Sequence, residues 1–257
     1  MLKGRTAFIT GTNRGIGKAL VAEFARNGAD VIAHARRKTP EFLSMLEEIA
    51  SKYSVKVSPL FFDMTNSEAM KTAVRGLISS RIPVDILVNN AGVAHGGLFQ
   101  MTGMSKVREV FDSNLFSMME LTQLLLRYMM RRRHASIINL GSVLGLDMPV
   151  GSCAYGLSKA AVMAFTRTLA AECGHLRIRV NAVAPGLVDT EMADQMESKA
   201  EEAMIAQCAM KRRAKPEEIA KMVVFLASEE SSFVNGQIIR IDGGKVCREI
   251  DRYEGNA

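Results

Sequence analysis

The chain has 257 residues, of which 48% are hydrophobic and 23% are charged, so it can bury one sizeable core. Because no stretch resembles a linker, we expect a single domain over residues 1–257. Its formal net charge is +6, but the lysines and arginines are spread along the chain, so nucleic acid is not an expected partner. Cysteines and histidines stand far apart and no apolar run approaches a membrane span in length, so we expect a cytoplasmic protein with no disulfide framework, bound metal or membrane contact.

The first predicted strand, 6–10, runs into a glycine-rich turn and then a helix with one apolar side. Glycines let a backbone approach a pyrophosphate closely, and a helix N-terminus offers free N–H groups and the positive end of its dipole. The turn therefore predicts a phosphate site, although its glycine spacing differs from the usual Gly-x-Gly-x-x-Gly fingerprint and a turn without a ligand is the alternative. Its residues are Gly11, Thr12, Asn13, Arg14, Gly15, Ile16 and Gly17.

The second predicted strand, Asp30–Ala35, ends in Arg36 and Arg37. NAD-binding units commonly carry an acidic residue at this point for the ribose hydroxyls. Two guanidinium groups would instead suit a 2′-phosphate, and Arg14 of the glycine turn could reach the same group. The pattern favours NADP over NAD; the alternative is a pair of solvated loop charges.

A threonine cap and a proline in the first turn predict a helix over 39–52, and an apolar stretch predicts the third strand over 55–62. Asp63 and Met64 follow this strand. The Asp63 carboxylate has two open readings, an acceptor for an adenine amino group or a cap for the helix predicted over 66–80.

The fourth predicted strand, 84–88, is continuously apolar, as in a strand that is buried on both faces. Two amides and a glycine come directly after it and indicate a backbone held open beside a ligand. The segment reads Asn89, Asn90, Ala91 and Gly92.

A long helix is predicted over 104–133 from the apolar residues along one side. Asn114 falls inside it, where an asparagine is either a hydrogen-bonded core residue or the mark of a kink whose carbonyl binds water. Arg131, Arg132 and Arg133 close the helix, and they either offset its dipole or offer a basic surface to an acidic partner.

The fifth predicted strand, 136–142, delivers Ser142 to its C-terminal end, which is the ligand edge of an open parallel sheet. Tyr155 and Lys159 lie four residues apart on the next predicted helix and so share one face, where the ammonium can favour the ionised phenol. Tyr155 thus becomes a candidate acid or base near neutral pH. The small residues on the other side of this helix fit either a subunit interface or packing within the domain.

The sixth strand is predicted over 179–184, and the turn after it holds Pro185, Gly186, Val188 and Thr190. A charged, methionine-rich stretch comes next and predicts a mobile lid over about 188–214. A last helix from Pro216, a final strand within 234–244 and a polar tail, 245–257, complete the pattern. Regular alternation of strands and helices predicts an α/β fold, a Rossmann-like doubly wound parallel sheet of about seven strands with helices on both faces.

Residues 4 to 244 resemble the short-chain dehydrogenase/reductase (SDR) family, nearest to its 3-oxoacyl-[acyl-carrier-protein] reductases of fatty acid biosynthesis. Ala171, where such reductases often have a basic residue, and the longer tail depart from that subgroup. The resemblance rests on motifs in a fixed order: the turn from Gly11 to Gly17, Asp63, Asn89 to Gly92, Asn114, Ser142, Tyr155 with Lys159, Pro185-Gly186 with Thr190, and Asp242-Gly243-Gly244.

The resemblance implies that Tyr155 exchanges a proton with the carbonyl oxygen while Ser142 holds that oxygen. Lys159 would bind the nicotinamide ribose and lower the pKa of the tyrosine, and Asn114 would hold a water molecule beside Lys159. Residues implied to contact NADP(H) are Gly11, Asn13, Arg14, Gly15, Ile16, Gly17, Arg36, Arg37, Asp63, Met64, Asn90, Ala91, Gly92, Tyr155, Lys159, Pro185, Gly186, Val188 and Thr190.

The family likeness also implies a homotetramer, or a dimer, built on the helices that carry Asn114 and Tyr155. The expected substrate is a small or carrier-bound ketone, in the first place a 3-oxoacyl thioester on acyl carrier protein, which could use the basic surface at Arg131, Arg132 and Arg133. A different ketone or alcohol, such as a sugar or polyketide intermediate, is the alternative. A sensor that binds NADP without catalysis is a third reading, and the intact set of catalytic residues argues against it.

Overall fold

The computed structural model describes residues 1–132, 134–195 and 198–245. It contains a seven-stranded parallel sheet with the strand order β3-β2-β1-β4-β5-β6-β7, which confirms the predicted doubly wound sheet. The strands are β1 (Thr6–Ile9), β2 (Asp30–Ala35), β3 (Val57–Phe61), β4 (Ile86–Asn89), β5 (Ala135–Leu140), β6 (Ile178–Pro185) and β7 (Ile238–Ile241).

Helices cover both faces of this sheet because each inner strand is apolar on both sides. In β1, Ala7 and Ile9 pack on one face and Phe8 packs on the other. The α-helices are α1 (Gly15–Arg26), α2 (Pro40–Tyr53), α3 (Ser67–Ser79), α4 (Met104–Phe111), α5 (Ser117–Met129), α6 (Leu144–Asp147), α7 (Cys153–Cys173), α8 (Ser198–Gln207) and α9 (Pro216–Ala227). The core on the Ala7 side takes its helical residues from α1, α2 and α9, and the core on the Phe8 side takes them from α3, α5 and α7.

The strand order places a crevice at the C-terminal ends of β1 and β4. The chain runs from β1 outward to β2 and β3, and then crosses back so that β4 pairs with the other side of β1. At such a switch point the loops after the two strands diverge and leave room for a ligand. Every predicted motif that comes directly after a strand is therefore carried to this one edge of the sheet.

The predicted helix over 104–133 is two helices joined by a π-helical turn. Helix α4 ends at Phe111, the π-turn spans Asp112–Phe116, and α5 continues to Met129. One turn with i→i+5 hydrogen bonds inside an α-helix holds an extra residue and rotates the helical segment after it. The expected kink at Asn114 thus has a defined form, while Arg133 lies outside the described residues.

The helix predicted from Thr39 begins as expected, since the Thr39 side chain accepts a hydrogen bond from the Phe42 N–H and Pro40 occupies the first turn. The predicted lid contains a helix, α8, which its sequence pattern did not indicate. The predicted tail, 245–257, lies outside the described residues from 246 onward.

The described part of the chain bears on two sequence expectations. Within it, no helix combines the length and apolar character needed to cross a membrane. No group of three or more potential ligand side chains that could hold a metal ion occurs among those same residues. Cys153, Cys173 and Cys208 are free thiols, and Cys247 lies outside the described ranges.

Candidate active site

A cleft of about 1120 Å³ follows the C-terminal edge of the sheet. Every residue predicted to contact NADP(H) lines it, and so does Ser142. These residues come from the loops after β1, β2, β3, β4, β5 and β6 and from α7, so the fold collects motifs that are up to 179 positions apart, from Gly11 to Thr190. Asn114, by contrast, does not line the cleft and lies beneath its floor.

The glycine turn brings the N-terminus of α1 against the end of β1. A Cβ atom added at Gly17 would lie 1.9 Å from the Gly11 carbonyl oxygen, so only glycine permits this approach. Asn90 holds the turn from the other side, because its Nδ2 donates to the carbonyls of Thr10 and Gly11, both at 2.9 Å. The turn is therefore a rigid cradle whose helix N–H groups face the cleft.

His34 braces the same turn, a role that none of the sequence motifs indicates. Its Nδ1 accepts from the Gly11 N–H at 3.3 Å and its Nε2 lies 2.9 Å from the Phe62 carbonyl, so the ring proton is on Nε2. Burial lowers the pKa of His34 to about 4, which keeps the ring neutral. A neutral imidazole thus ties the glycine turn to the segment that precedes Asp63, and a polar residue within an otherwise apolar strand is the only signal that could have found it.

Arg36, Arg37 and Asp63 surround one end of the cleft. Both arginines are exposed, and neither pairs with a carboxylate among the residues that the structure describes. The Asp63 Oδ1 accepts from the Thr65 N–H and hydroxyl, at 2.9 and 2.7 Å, and these bonds lower the pKa of the carboxyl. Asn66 caps α3, so the helix-cap reading of Asp63 is wrong and its carboxylate stays at the cleft.

Two residues of the predicted motifs have other partners. The Asn89 Nδ2 donates to Thr122 and Asn139 in the core, so of the two amides after β4 only Asn90 reaches the cleft. The Arg132 Nε donates to the buried Asp85 carboxylate at 2.7 Å, so one nitrogen of its guanidinium is tied to the protein, while the side chain stays 40% exposed.

Asn114 lies within the π-turn and is 2% exposed. Its side chain makes a reciprocal pair with Val93, accepting from the N–H at 2.8 Å and donating to the carbonyl at 3.0 Å. Its Nδ2 also donates to the Ser158 hydroxyl on α7 at 3.0 Å. A Cβ atom at Gly92 would come within 2.9 Å of the Asn114 Oδ1 and 3.5 Å of the Lys159 Nζ, so the glycine after β4 gives both side chains their space.

Ser142, Tyr155 and Lys159 come together where β5 meets α7. The Lys159 Nζ lies 5.9 Å from the centroid of the Tyr155 ring and donates to the Leu140 carbonyl at 2.7 Å. Burial lowers the pKa of Lys159 to about 8, so the ammonium still carries its proton at pH 7. Burial also raises the pKa of Tyr155, and a hydrogen bond with Ser142 acts in the opposite direction.

This arrangement can perform acid–base chemistry on an oxygen atom. At pH 7 the Tyr155 phenol holds its proton, the Ser142 hydroxyl lies beside it, and the ammonium can stabilise the phenolate that remains after proton transfer. A carbonyl oxygen placed between the two hydroxyls would meet one group that donates a proton and a second that donates a hydrogen bond.

Two arginines bind carboxylates of the segment 188–214, for which the sequence predicts a lid. Arg213 binds Asp189, Asp194 and Glu201, at 3.0, 2.7 and 2.7 Å, and so joins three parts of the lid. Arg14 of the glycine turn pairs with Glu191 at 2.9 Å across the cleft. Ion pairs thus help to hold this segment beside the cleft, together with backbone hydrogen bonds from the Ala209 and Met210 N–H groups to the Gly244 and Gly243 carbonyls.

Known proteins resemble the chain over almost its whole length. The family model described as enoyl-(acyl carrier protein) reductase matches residues 11–245. The chain is 39% identical over 245 residues to the 3-oxoacyl-[acyl-carrier-protein] reductase FabG of Thermotoga maritima, an alignment that covers 95% of this chain and 99% of that protein. It is 36% identical over 243 residues to nodulation protein G of a Rhizobium species, with 95% and 97% covered.

Solved structures with the same fold include two dehydrogenases. A candidate gluconate dehydrogenase from Agrobacterium tumefaciens superimposes with a TM-score of 0.90 at 30% identity, over 95% of this chain and 96% of that one. A short-chain dehydrogenase from Burkholderia cenocepacia in complex with NADP superimposes with a TM-score of 0.88 at 28% identity, over 95% and 98%.

Proposed function

The chain belongs to the short-chain dehydrogenase/reductase family, and we propose that it is an NADPH-dependent reductase of a 3-oxoacyl thioester carried by acyl carrier protein. The observation that carries this proposal is the grouping of Ser142, Tyr155 and the buried Lys159 ammonium at one end of the cleft. Two hydroxyls beside a cation suit a reaction in which a ketone oxygen gains a proton.

The cleft fits a dinucleotide phosphate. The glycine cradle, which a Cβ at Gly17 would fill, suits a pyrophosphate at the N-terminus of α1. Arg36 and Arg37 have no carboxylate partner in the described ranges, which leaves both guanidinium groups available to a 2′-phosphate. When bound, NADPH supplies the hydride for the carbonyl carbon.

The residues of the chain supply the proton and hold the oxygen. Ser142 donates a hydrogen bond to the carbonyl oxygen, and Tyr155 transfers its phenol proton to it as the alkoxide forms. Lys159 stabilises the resulting phenolate by its charge. Asn114 fixes the loop at Val93 and the Ser158 hydroxyl, and so keeps the floor beneath Lys159 in place.

The carrier assignment is supported by the relatives. Several are named 3-oxoacyl-[acyl-carrier-protein] reductases, at 31–39% identity over 95% of this chain. On the surface, Arg131 and Arg132 are both exposed, and Arg132 also binds the buried Asp85 carboxylate. These two arginines are the described residues of the predicted basic surface that an acidic carrier protein could contact.

A non-acyl ketone or alcohol is the second candidate substrate. The structural similarity to a candidate gluconate dehydrogenase, with a TM-score of 0.90, favours a sugar acid within this class. Such a substrate would use the same proton donor, so the two candidates differ only in what the rest of the pocket accepts.

The proposal extends to assembly as a homotetramer or dimer. Phe116 on the π-turn and Leu157 on α7 are 55% and 46% exposed, and both lie on the elements that the family likeness assigns to the subunit interface. Light scattering at several concentrations measures the molar mass, and a monomer at all of them would contradict this part.

The experiment that tests the function is NADPH oxidation with an acetoacetyl thioester, run beside NADH and beside simple ketones and sugar acids. We expect NADPH-selective turnover of the thioester, and faster turnover when acyl carrier protein is the carrier. Preference for a sugar acid would support the second candidate. Absence of turnover with every carbonyl, together with tight NADPH binding, would contradict both.

A further inference from the structure

A second cavity, of about 360 Å³, adjoins the main cleft beneath α8. Five residues line both spaces, so the cavity and the cleft meet at them: Val143, Gly186, Leu187, Met204 and Lys245. The volume lies at the low end of the range for small-molecule sites, about 300–1,000 Å³. The cavity is therefore large enough for part of a ligand that begins in the main cleft.

Part of the lining of this cavity is apolar. Leu187 and Met204 come from the shared wall, and Ile205 and Ile241 face it from α8 and β7. The Cys208 thiol also lines it, but its Sγ donates to the Asp242 carbonyl at 3.2 Å and so offers no free donor. These side chains suit a hydrocarbon chain.

The charged residues of the lining are paired within the protein. Arg212 pairs with Glu218 at 2.7 Å, and Arg240 pairs with Asp242 at 2.7 Å. Lys245 pairs with Asp147 of α6 at 2.8 Å, and Arg240 binds the same carboxylate. A charged ligand would have to break these pairs, whereas a neutral apolar chain would pass between them.

The strand order shows where the second cavity lies relative to Ser142. The predicted 2′-phosphate site follows β2, the glycine turn follows β1, and Ser142 follows β5. The second cavity lies beyond them, at the ends of β6 and β7. Val143, the residue after Ser142, lines both the main cleft and this cavity, so a substrate whose carbonyl is at Ser142 can extend its far end past Val143 into the cavity, on the side of the sheet opposite the predicted 2′-phosphate site.

We infer that the second cavity binds the distal part of the substrate's acyl chain and sets the chain length that the enzyme accepts. This inference rests on the proposed function, because it takes the substrate to be an acyl thioester. Ile205 is the residue best placed to test it, since it lines the second cavity but not the main cleft.

The experiment compares reduction of 3-oxoacyl thioesters with 4 to about 14 carbons by the parent and two variants. In Ile205→Trp the larger indole takes up part of the cavity, so kcat/KM for long chains should fall at least tenfold while that for the four-carbon substrate changes less than twofold. Each buried methylene contributes roughly a fourfold gain in binding, so loss of two or three accounts for this size. Ile205→Ala enlarges the cavity and should shift the preferred chain to a longer one.

The matched control is Ala206→Trp, which adds the same bulk to an exposed position of α8 and should leave the chain-length profile unchanged. The inference alone would be overturned if the parent reduces the short substrate and both Ile205 variants keep the parent's chain-length profile. The same conclusion would follow if both variants lost kcat/KM equally for every chain length. A parent that reduces no acetoacetyl thioester would instead overturn the proposed function. In that case, the acyl site can be tested by binding, with decanoyl pantetheine as the ligand and alkylation of Cys208 as the readout. Protection of Cys208 in the parent but not in Ile205→Trp would still support an acyl site.

Discussion

The buried ammonium of Lys159 donates a hydrogen bond to the backbone carbonyl of Leu140 at 2.7 Å, at the end of the strand that leads to Ser142. One side chain therefore fixes the position of α7 relative to β5 and places a positive charge behind Tyr155. A charge in this position lowers the stability of the folded protein, because water is replaced by only one carbonyl and the surrounding protein.

The cost should be visible in the pH dependence of stability. Burial lowers the pKa of Lys159 from 10.5 to about 8, so below pH 8 both the folded and the unfolded chain hold the proton and the cost is complete. Between pH 8 and 10.5 the folded chain releases the proton first, and above 10.5 neither holds it. Relative to Lys159→Met, the free energy of unfolding of the parent should rise by about 3 kcal/mol over this interval. Urea denaturation at a series of pH values measures it, and parallel curves would contradict the assignment.

Replacement of Tyr155 by phenylalanine should remove the proton donor and keep the ring. We expect kcat for ketone reduction to fall about 10²–10⁴-fold, the usual contribution of a general acid, with the Kd for NADPH nearly unchanged. Tyr128→Phe is the matched control, because the Tyr128 hydroxyl donates to the Ile82 carbonyl away from the cleft. If Tyr155→Phe retained most of the turnover, another group would have to be the acid.

Exchange of Arg36 for aspartate should reverse cofactor preference. Arg36 lines the cleft near Asp63, and the new carboxylate would repel a 2′-phosphate and accept ribose hydroxyls instead. The ratio of kcat/KM with NADPH to that with NADH should drop at least tenfold. Arg75→Asp, an equal charge change on α3 outside the cleft, should leave the ratio as it is. An unchanged ratio in Arg36→Asp would remove the phosphate argument.

Arg213→Met should loosen the lid, since one guanidinium holds Asp189, Asp194 and Glu201 together. We expect faster amide hydrogen exchange in α8 and a several-fold rise in KM for NADPH, with a smaller change in kcat. Arg212→Met is the control, because the neighbouring Arg212 guanidinium binds Glu218 of α9 and the Arg213 carbonyl but none of the three carboxylates that Arg213 joins. Equal exchange rates in α8 for the two variants would contradict the role given to Arg213.

The sheet was predictable because its strands are short apolar runs that end in glycine, asparagine or arginine. The runs at Asp30–Ala35 and Ala135–Leu140 were predicted to within one or two residues, since burial on both faces leaves little ambiguity of pattern. The predicted cofactor residues reach one cleft for the same reason, because parallel strands present their C-terminal ends at one edge.

Contacts between distant segments were not predictable in the same way. Nothing in the local sequence indicates that His34 would bond to Gly11 and Phe62, because the pairing depends on how β2 lies between β1 and β3. The three carboxylates around Arg213 likewise come from positions up to 24 residues away. Helix α8 was not predicted because its apolar residues do not gather on one side.

The π-turn at Asp112–Phe116 interrupts the regular α-helix and positions Asn114 at the site. Loss of one residue there would restore an unbroken α-helical ladder from α4 to α5, but it would rotate the two segments by about 100° relative to each other. Asn114 would then turn away from Val93, and the floor beneath Lys159 would lose its support. The same rotation would turn the buried faces of α4 and α5 out of register with the core, so a laboratory selection for thermal tolerance and a selection for turnover would both retain this irregular segment.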